Sequence, residues 1–130
     1  MKILGIGVDI VNNKRFKNLI KNKNFLKRTF SVNEIKFSIK KKDKVNFFAK
    51  RFAAKESLAK ALGTGFRKKL NLKDIEIYND NLGKPFYNNN KKLNNFINKI
   101  FGIKSYNLFL SISDEKDYSI AFTILQKNDV

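Results

Sequence analysis

Glu56 and Lys60 stand four residues apart in a stretch that begins Arg51-Phe52-Ala53-Ala54-Lys55-Glu56 and closes on Gly63-Thr64-Gly65. A helix rises about 1.5 Å per residue and turns about every 3.6 residues, so Phe52, Glu56 and Lys60 stack on one face. A carboxylate able to ligate a hard cation, cations on either side of it and a glycine-rich exit form a set suited to phosphate oxygens. The plain alternative is an ordinary helical ion pair, worth a few tenths of a kcal/mol. Phe52 and the small residues Ala49, Ala53 and Ala59 tilt the balance, because they set the pair at the edge of a packed surface.

The 130-residue chain contains no cysteine, no histidine and no tryptophan. Disulfides, thiolate nucleophiles and the Ser-His-Asp and Cys-His arrangements are therefore excluded, and a structural zinc site would lack its sulfur and nitrogen ligands. Catalysis must use carboxylates, lysine, hydroxyls, backbone amides or an oxygen-liganded cation such as Mg²⁺. A content of 42% hydrophobic and 13% aromatic residues suits one compact domain over residues 1–130. Asp9 breaks the apolar start too early for a signal peptide, and no segment approaches the roughly 18 apolar residues of a membrane span. The expectation is a cytoplasmic protein without a membrane partner.

A net charge of +17 predicts polyanionic partners: nucleic acid, a pyrophosphate substrate or an acidic protein. Tracts such as Lys40-Lys41-Lys42 and Asn88-Asn89-Asn90-Lys91-Lys92 weaken the nucleic-acid reading, since lysine and asparagine accumulate on tolerant surfaces of chains encoded by AT-rich genes.

The elements that must position Glu56 are legible from periodicity. Ile3 to Val8 predicts a buried strand with Asp9 at its exit. A basic, exposed helix follows from Asn12 or Asn13 to Ile20. Ser31-Val32-Asn33-Glu34 predicts a capping box opening a short helix toward Ile39. The long helix runs from Lys44 or Val45 to Leu62, with Phe47, Phe48, Phe52, Leu58 and Leu62 inward and Gly63 as its left-handed stop. Strands are expected at 75–78 and 84–87 around a turn, a helix at 92–101 ended by Gly102, and a hairpin of 106–113 with 118–125.

With histidine absent, Asp9 and Glu56 are the acids on the most rigid mounts. Two carboxylates with water and phosphate oxygens suit octahedral Mg²⁺; a turn residue plus a surface ion pair is the competing account, and residue types leave both open.

Gly5-Ile6-Gly7-Val8-Asp9-Ile10-Val11, Arg15, the Arg51 to Gly65 stretch, Asp74-Ile75-Glu76-Ile77, Gly83-Lys84-Pro85 and Ser111-Ile112-Ser113-Asp114 together resemble the small holo-acyl carrier protein synthases, which are 4'-phosphopantetheinyl transferases. The resemblance covers nearly the whole chain. It implies an α+β fold, a long helix packed on antiparallel strands, in a homotrimer with clefts between subunits. It implies transfer of the phosphopantetheine arm of coenzyme A to a serine of apo acyl carrier protein, in fatty acid biosynthesis. Asp9 and Glu56 would hold Mg²⁺, Glu56 would serve as base and Lys60 would assist the leaving phosphate. Lys42 and Arg51 match nucleotide-phosphate positions, Pro85 an adenine-side contact, and Gly63, Thr64 and Gly65 the pantetheine and phosphate region. Arg15, with Lys14 and Lys21 nearby, would dock the acidic carrier protein. Two positions depart from many relatives: Asp114 stands near the nucleotide where histidine is common, and Asn12 stands where an acid is common, which lowers the expected metal affinity.

Two rivals remain at this level. A basic nucleic-acid-binding module fits the charge, but Phe47, Phe48, Phe52, Phe96 and Phe109 fall at core-like spacings and not on a stacking platform. A non-catalytic trimer that only binds coenzyme A or the carrier protein would have no use for Asp9, Glu56 and Lys60 together.

Overall fold

The computed structural model describes residues 1–63 and 70–128. Strand β1 (Lys2–Asn12) leads through a 3₁₀ turn (Asn13–Arg15) into three short helices, α1 (Phe16–Leu19), α2 (Lys23–Thr29) and α3 (Val32–Ser38). The long helix α4 (Lys44–Leu62) follows, then β2 (Ile77–Asn79), β3 (Pro85–Tyr87), α5 (Lys91–Phe101), β4 (Tyr106–Asp114) and β5 (Tyr118–Lys127). The strands form an antiparallel sheet in the order β1-β5-β4 and a separate antiparallel pair β2-β3. One face of the larger sheet packs on α4, so the chain has the expected α+β architecture.

Local signals account for the helix limits. Asp43 accepts a hydrogen bond from Asn46 N at the start of α4, and Gly63 ends it with φ +77°. Ser31 and Glu34 form the capping box of α3. Helix α2 was not foreseen: beside the buried Thr29 its inward apolar residues are only the half-buried Phe25 and Leu26 among cations, and its N-cap Asn22 accepts from Asn24 N and Phe25 N. Strand β1 also runs further than its apolar run, because its pairing with β5 continues to Asn12 opposite Tyr118. Asp9 therefore lies inside the strand and not at its exit.

The sheet alternates as a pleat requires. Val11, Ser119, Ala121, Thr123 and Leu125 are buried toward α4, and Tyr87 Oη ties β3 to both layers by donating to Ala54 O at 2.7 Å and meeting Thr123 Oγ1 at 2.7 Å. Burial pushes the Tyr87 hydroxyl up to about 12, which keeps it a donor. Ile6, Val8, Ile10, Phe109, Ile120 and Phe122 point outward and are exposed. Phe109 thus corrects the core expectation: its spacing is that of a strand whose other face meets α4.

Candidate active site

Two glycines set the distance between β1 and α4. A Cβ on Gly7 would lie 1.8 Å from Ser57 O, and one on Gly5 would lie 1.8 Å from Ala61 O, so strand and helix touch backbone to backbone. Glu56 and Lys60 each precede one of those contact residues on the helix. Asp9 lies on the same strand face two residues beyond Gly7. The crossing therefore gathers Asp9, Glu56 and Lys60 from positions up to 51 residues apart.

Lys60 Nζ donates to Asp9 Oδ1 at 3.1 Å and to Val8 O at 3.0 Å. Glu56 is half-buried, and burial raises its pKa above the ordinary value; the Asp9 charge raises it further, while Lys60 and Arg15 pull it down. A carboxylate pair of like charge, already drawing an ammonium, has the donor chemistry of a hard divalent cation site. Among the described residues no group of three or more acids gathers, so such an ion would take its remaining ligands from water and substrate oxygens. Asn12, where an acid was the family expectation, spends its side-chain oxygen on Lys14 N at 3.0 Å.

Along the α4 N-terminal half lies a cavity of about 640 Å³. Lys42, Arg51, Pro85 and Asp114, four residues from three separate stretches of chain, all line it. Sequence reasoning missed other members of its wall, among them Lys41, Asn46, Lys50 and Asn79. Asp114 is held by Asn46 Nδ2 at 2.8 Å, so its carboxylate is anchored at the cavity wall.

Arg51 and Lys55 are not surface cations. Both are buried on the α4 stripe that also carries Phe48, Leu58 and Leu62. Lys55 Nζ donates to Glu34 Oε1 at 2.7 Å and to the carbonyls of Leu72 and Ile75, so it is consumed internally and offers nothing to a phosphate. Arg51 Nε lies 3.6 Å from Glu34 Oε2. Arg51 seven residues before Leu58 and Lys55 seven before Leu62 were the available signal, since charges on a core stripe require a buried acid. Glu34 is that acid, read from sequence only as a cap.

Lys14 and Arg15 are exposed on the 3₁₀ turn after β1, and Lys21 is exposed on the turn after α1. Gly63 has open space where a Cβ would stand, and its positive φ is what the end of α4 requires. Thr64 and Gly65 lie outside the described residues.

Residues 5–123 match the family model described as the 4'-phosphopantetheinyl transferase superfamily. The chain belongs to this superfamily. The holo-[acyl-carrier-protein] synthase of Pelagibacter ubique (strain HTCC1062) is 57% identical over 127 residues, covering 98% of this chain and 99% of that protein. The transferase fold is shared with the holo-[acyl-carrier-protein] synthase structure from Neisseria meningitidis, at 39% identity and TM-score 0.86 over 97% of this chain and 100% of that one. The Bacillus anthracis str. Ames synthase, solved in complex with CoA (3',5'-ADP), has 32% identity and TM-score 0.80, covering 97% of this chain and 98% of that one.

Proposed function

We propose that this transferase moves the 4'-phosphopantetheine arm of coenzyme A to a serine hydroxyl of apo acyl carrier protein, giving holo acyl carrier protein and adenosine 3',5'-bisphosphate. The observation that carries the reading is the meeting of Asp9, Glu56 and Lys60 where β1 crosses α4, and a separate cavity along the N-terminal half of the same helix gathers Lys42 and Arg51. The names of its relatives support the same reaction, and so does the coenzyme A complex of the Bacillus anthracis synthase.

The serine oxygen attacks the phosphorus of the arm as the diphosphate bridge breaks, and charge accumulates on the leaving phosphate. Lys60, whose side chain is 55% exposed against 16% for Asp9, is the mobile partner and can swing from the acid to that oxygen. Glu56, with its raised pKa, is the base for the serine proton. Mg²⁺ held by Asp9 and Glu56 would neutralise the diphosphate. Lys42, Arg51, Pro85 and Asp114 take the nucleotide end, and Gly63, Thr64 and Gly65 the pantetheine side. Lys14, Arg15 and Lys21 attract the acidic carrier protein, with Arg15 near enough to Glu56 to lead the serine in.

The work is done in the cytoplasm, in fatty acid biosynthesis, by a homotrimer. The outward sheet face supports that assembly, with Ile10 60% and Val8 53% exposed, because a patch of this kind on β1, β4 and β5 is suited to burial against other copies.

The test is an intact-mass measurement on apo acyl carrier protein after incubation with this chain, coenzyme A and Mg²⁺. A phosphopantetheine-sized gain that EDTA prevents is expected; no gain from a folded protein overturns the reading.

A further inference from the structure

The Arg51 guanidinium stands between two chambers, for it lines both the 640 Å³ cavity and a smaller one of about 200 Å³ that holds Glu34 and Glu76. The acids pull it backward. Its Nε is buried without a hydrogen bond 3.6 Å from Glu34, and both acids oppose the effect of burial on its charge. The Phe47 ring, 4.2 Å from Cζ, supports the guanidinium but gives it no directional tie.

One hydrogen bond ties the guanidinium to the β2-β3 hairpin. Arg51 Nη2 donates to Asn79 Oδ1 at 2.9 Å, and Asn79 Nδ2 donates to Gly83 O at 3.0 Å. That second bond reaches the turn leading into Pro85. The turn does not need it for closure, since Asp80 N donates to Lys84 O, Gly83 N to Asp80 O, and Asp80 Oδ1 accepts from Leu82 N and Lys84 N. The Asn79 side chain therefore has a different effect: it couples the arginine to the wall that carries Pro85. An amide oxygen does this while leaving the positive charge intact, which a carboxylate in its place would cancel.

We propose that Asn79 is a positioning residue that keeps Arg51 turned toward the large cavity and sets the affinity of that cavity for a phosphorylated nucleotide. The inference rests on the transferase reading, in which that nucleotide is the 3'-phosphoadenosine end of coenzyme A.

Calorimetric titration with adenosine 3',5'-bisphosphate, on the unaltered chain, Asn79→Ala, Arg51→Gln and the double variant, tests it. Asn79→Ala should weaken binding about tenfold, the scale of one hydrogen bond to a charged group, and raise KM for coenzyme A alike with kcat and KM for the carrier protein unchanged. In the Arg51→Gln background the same change should have almost no further effect, because the residue acts through Arg51. Asn79→Asp keeps the acceptor but should weaken binding at least as much at low salt. Unchanged binding by Asn79→Ala, an undiminished penalty in the Arg51→Gln background, or a fall in kcat at constant KM each overturns the proposal alone. No binding by the unaltered chain overturns the transferase reading and the proposal together.

Discussion

Lys60 Nζ rests 3.1 Å from Asp9 Oδ1, so one carboxylate of the candidate cation site already has a cation supplied by the chain itself. Metal and ammonium would compete for Asp9. Lys60→Met should tighten Mn²⁺ binding to the coenzyme-free protein several-fold, read from the free-Mn²⁺ signal in electron paramagnetic resonance, while transfer falls roughly 10- to 100-fold through loss of the phosphate contact. Weaker Mn²⁺ binding by the variant would contradict the competition.

Glu56 gives opposite effects on stability and activity. Its folded pKa is raised, so between the ordinary value of 4.5 and the raised one the folded chain keeps a proton that the unfolded chain releases. Stability is therefore lost as pH rises through that window, and the penalty is complete above it. Glu56→Gln should melt a few degrees higher at pH 7, with the difference vanishing below the ordinary value, and should transfer no phosphopantetheine. A lower melting temperature at pH 7 would contradict the sign.

Gly7→Ala places a methyl 1.8 Å from the Ser57 carbonyl, and both neighbours are backbone. Strand and helix must separate, at a cost of about 3 kcal/mol or more. Urea unfolding should show it. Transfer should fall too, since Asp9 is carried away from Glu56 and Lys60.

Glu34→Gln leaves the fully buried Lys55 ammonium facing a neutral amide. A loss of about 3–5 kcal/mol is expected in urea unfolding, because an unmatched charge remains in the core. A loss below 1 kcal/mol would show that water reaches the pair.

Ile10→Glu puts a charge on the exposed sheet face, on edge strand β1. Light scattering should report trimers for the unaltered chain and monomers for the variant, with little change in the melting of the monomer itself.

Much of the fold was legible because its signals are local. The limits of α4 follow from Asp43 and Gly63, the α3 cap from Ser31 and Glu34, and the α5 stop from Gly102 with φ +62°. Helix α2 escaped because two apolar residues among cations make almost no periodic pattern, and the full length of β1 escaped because its pairing partner lies more than 100 residues away. Lys55 was misjudged for a related reason: whether a lysine is solvated or buried depends on where Glu34 folds, 21 residues upstream.

By itself the sequence determined which chemistries were open, since a chain without cysteine or histidine must act through carboxylates, lysine and oxygen-liganded cations. It also fixed the element periodicities, and through them that Glu56 and Lys60 share a helix face. Only the tertiary structure decided that Asp9 meets that face, that Arg51 turns partly inward, and that Asn79 ties it to the β2-β3 turn. The reason is physical: hydrogen-bonded periodicity acts over a few residues, whereas these contacts depend on how closely separate elements approach, and here two glycines and one buried acid set those distances.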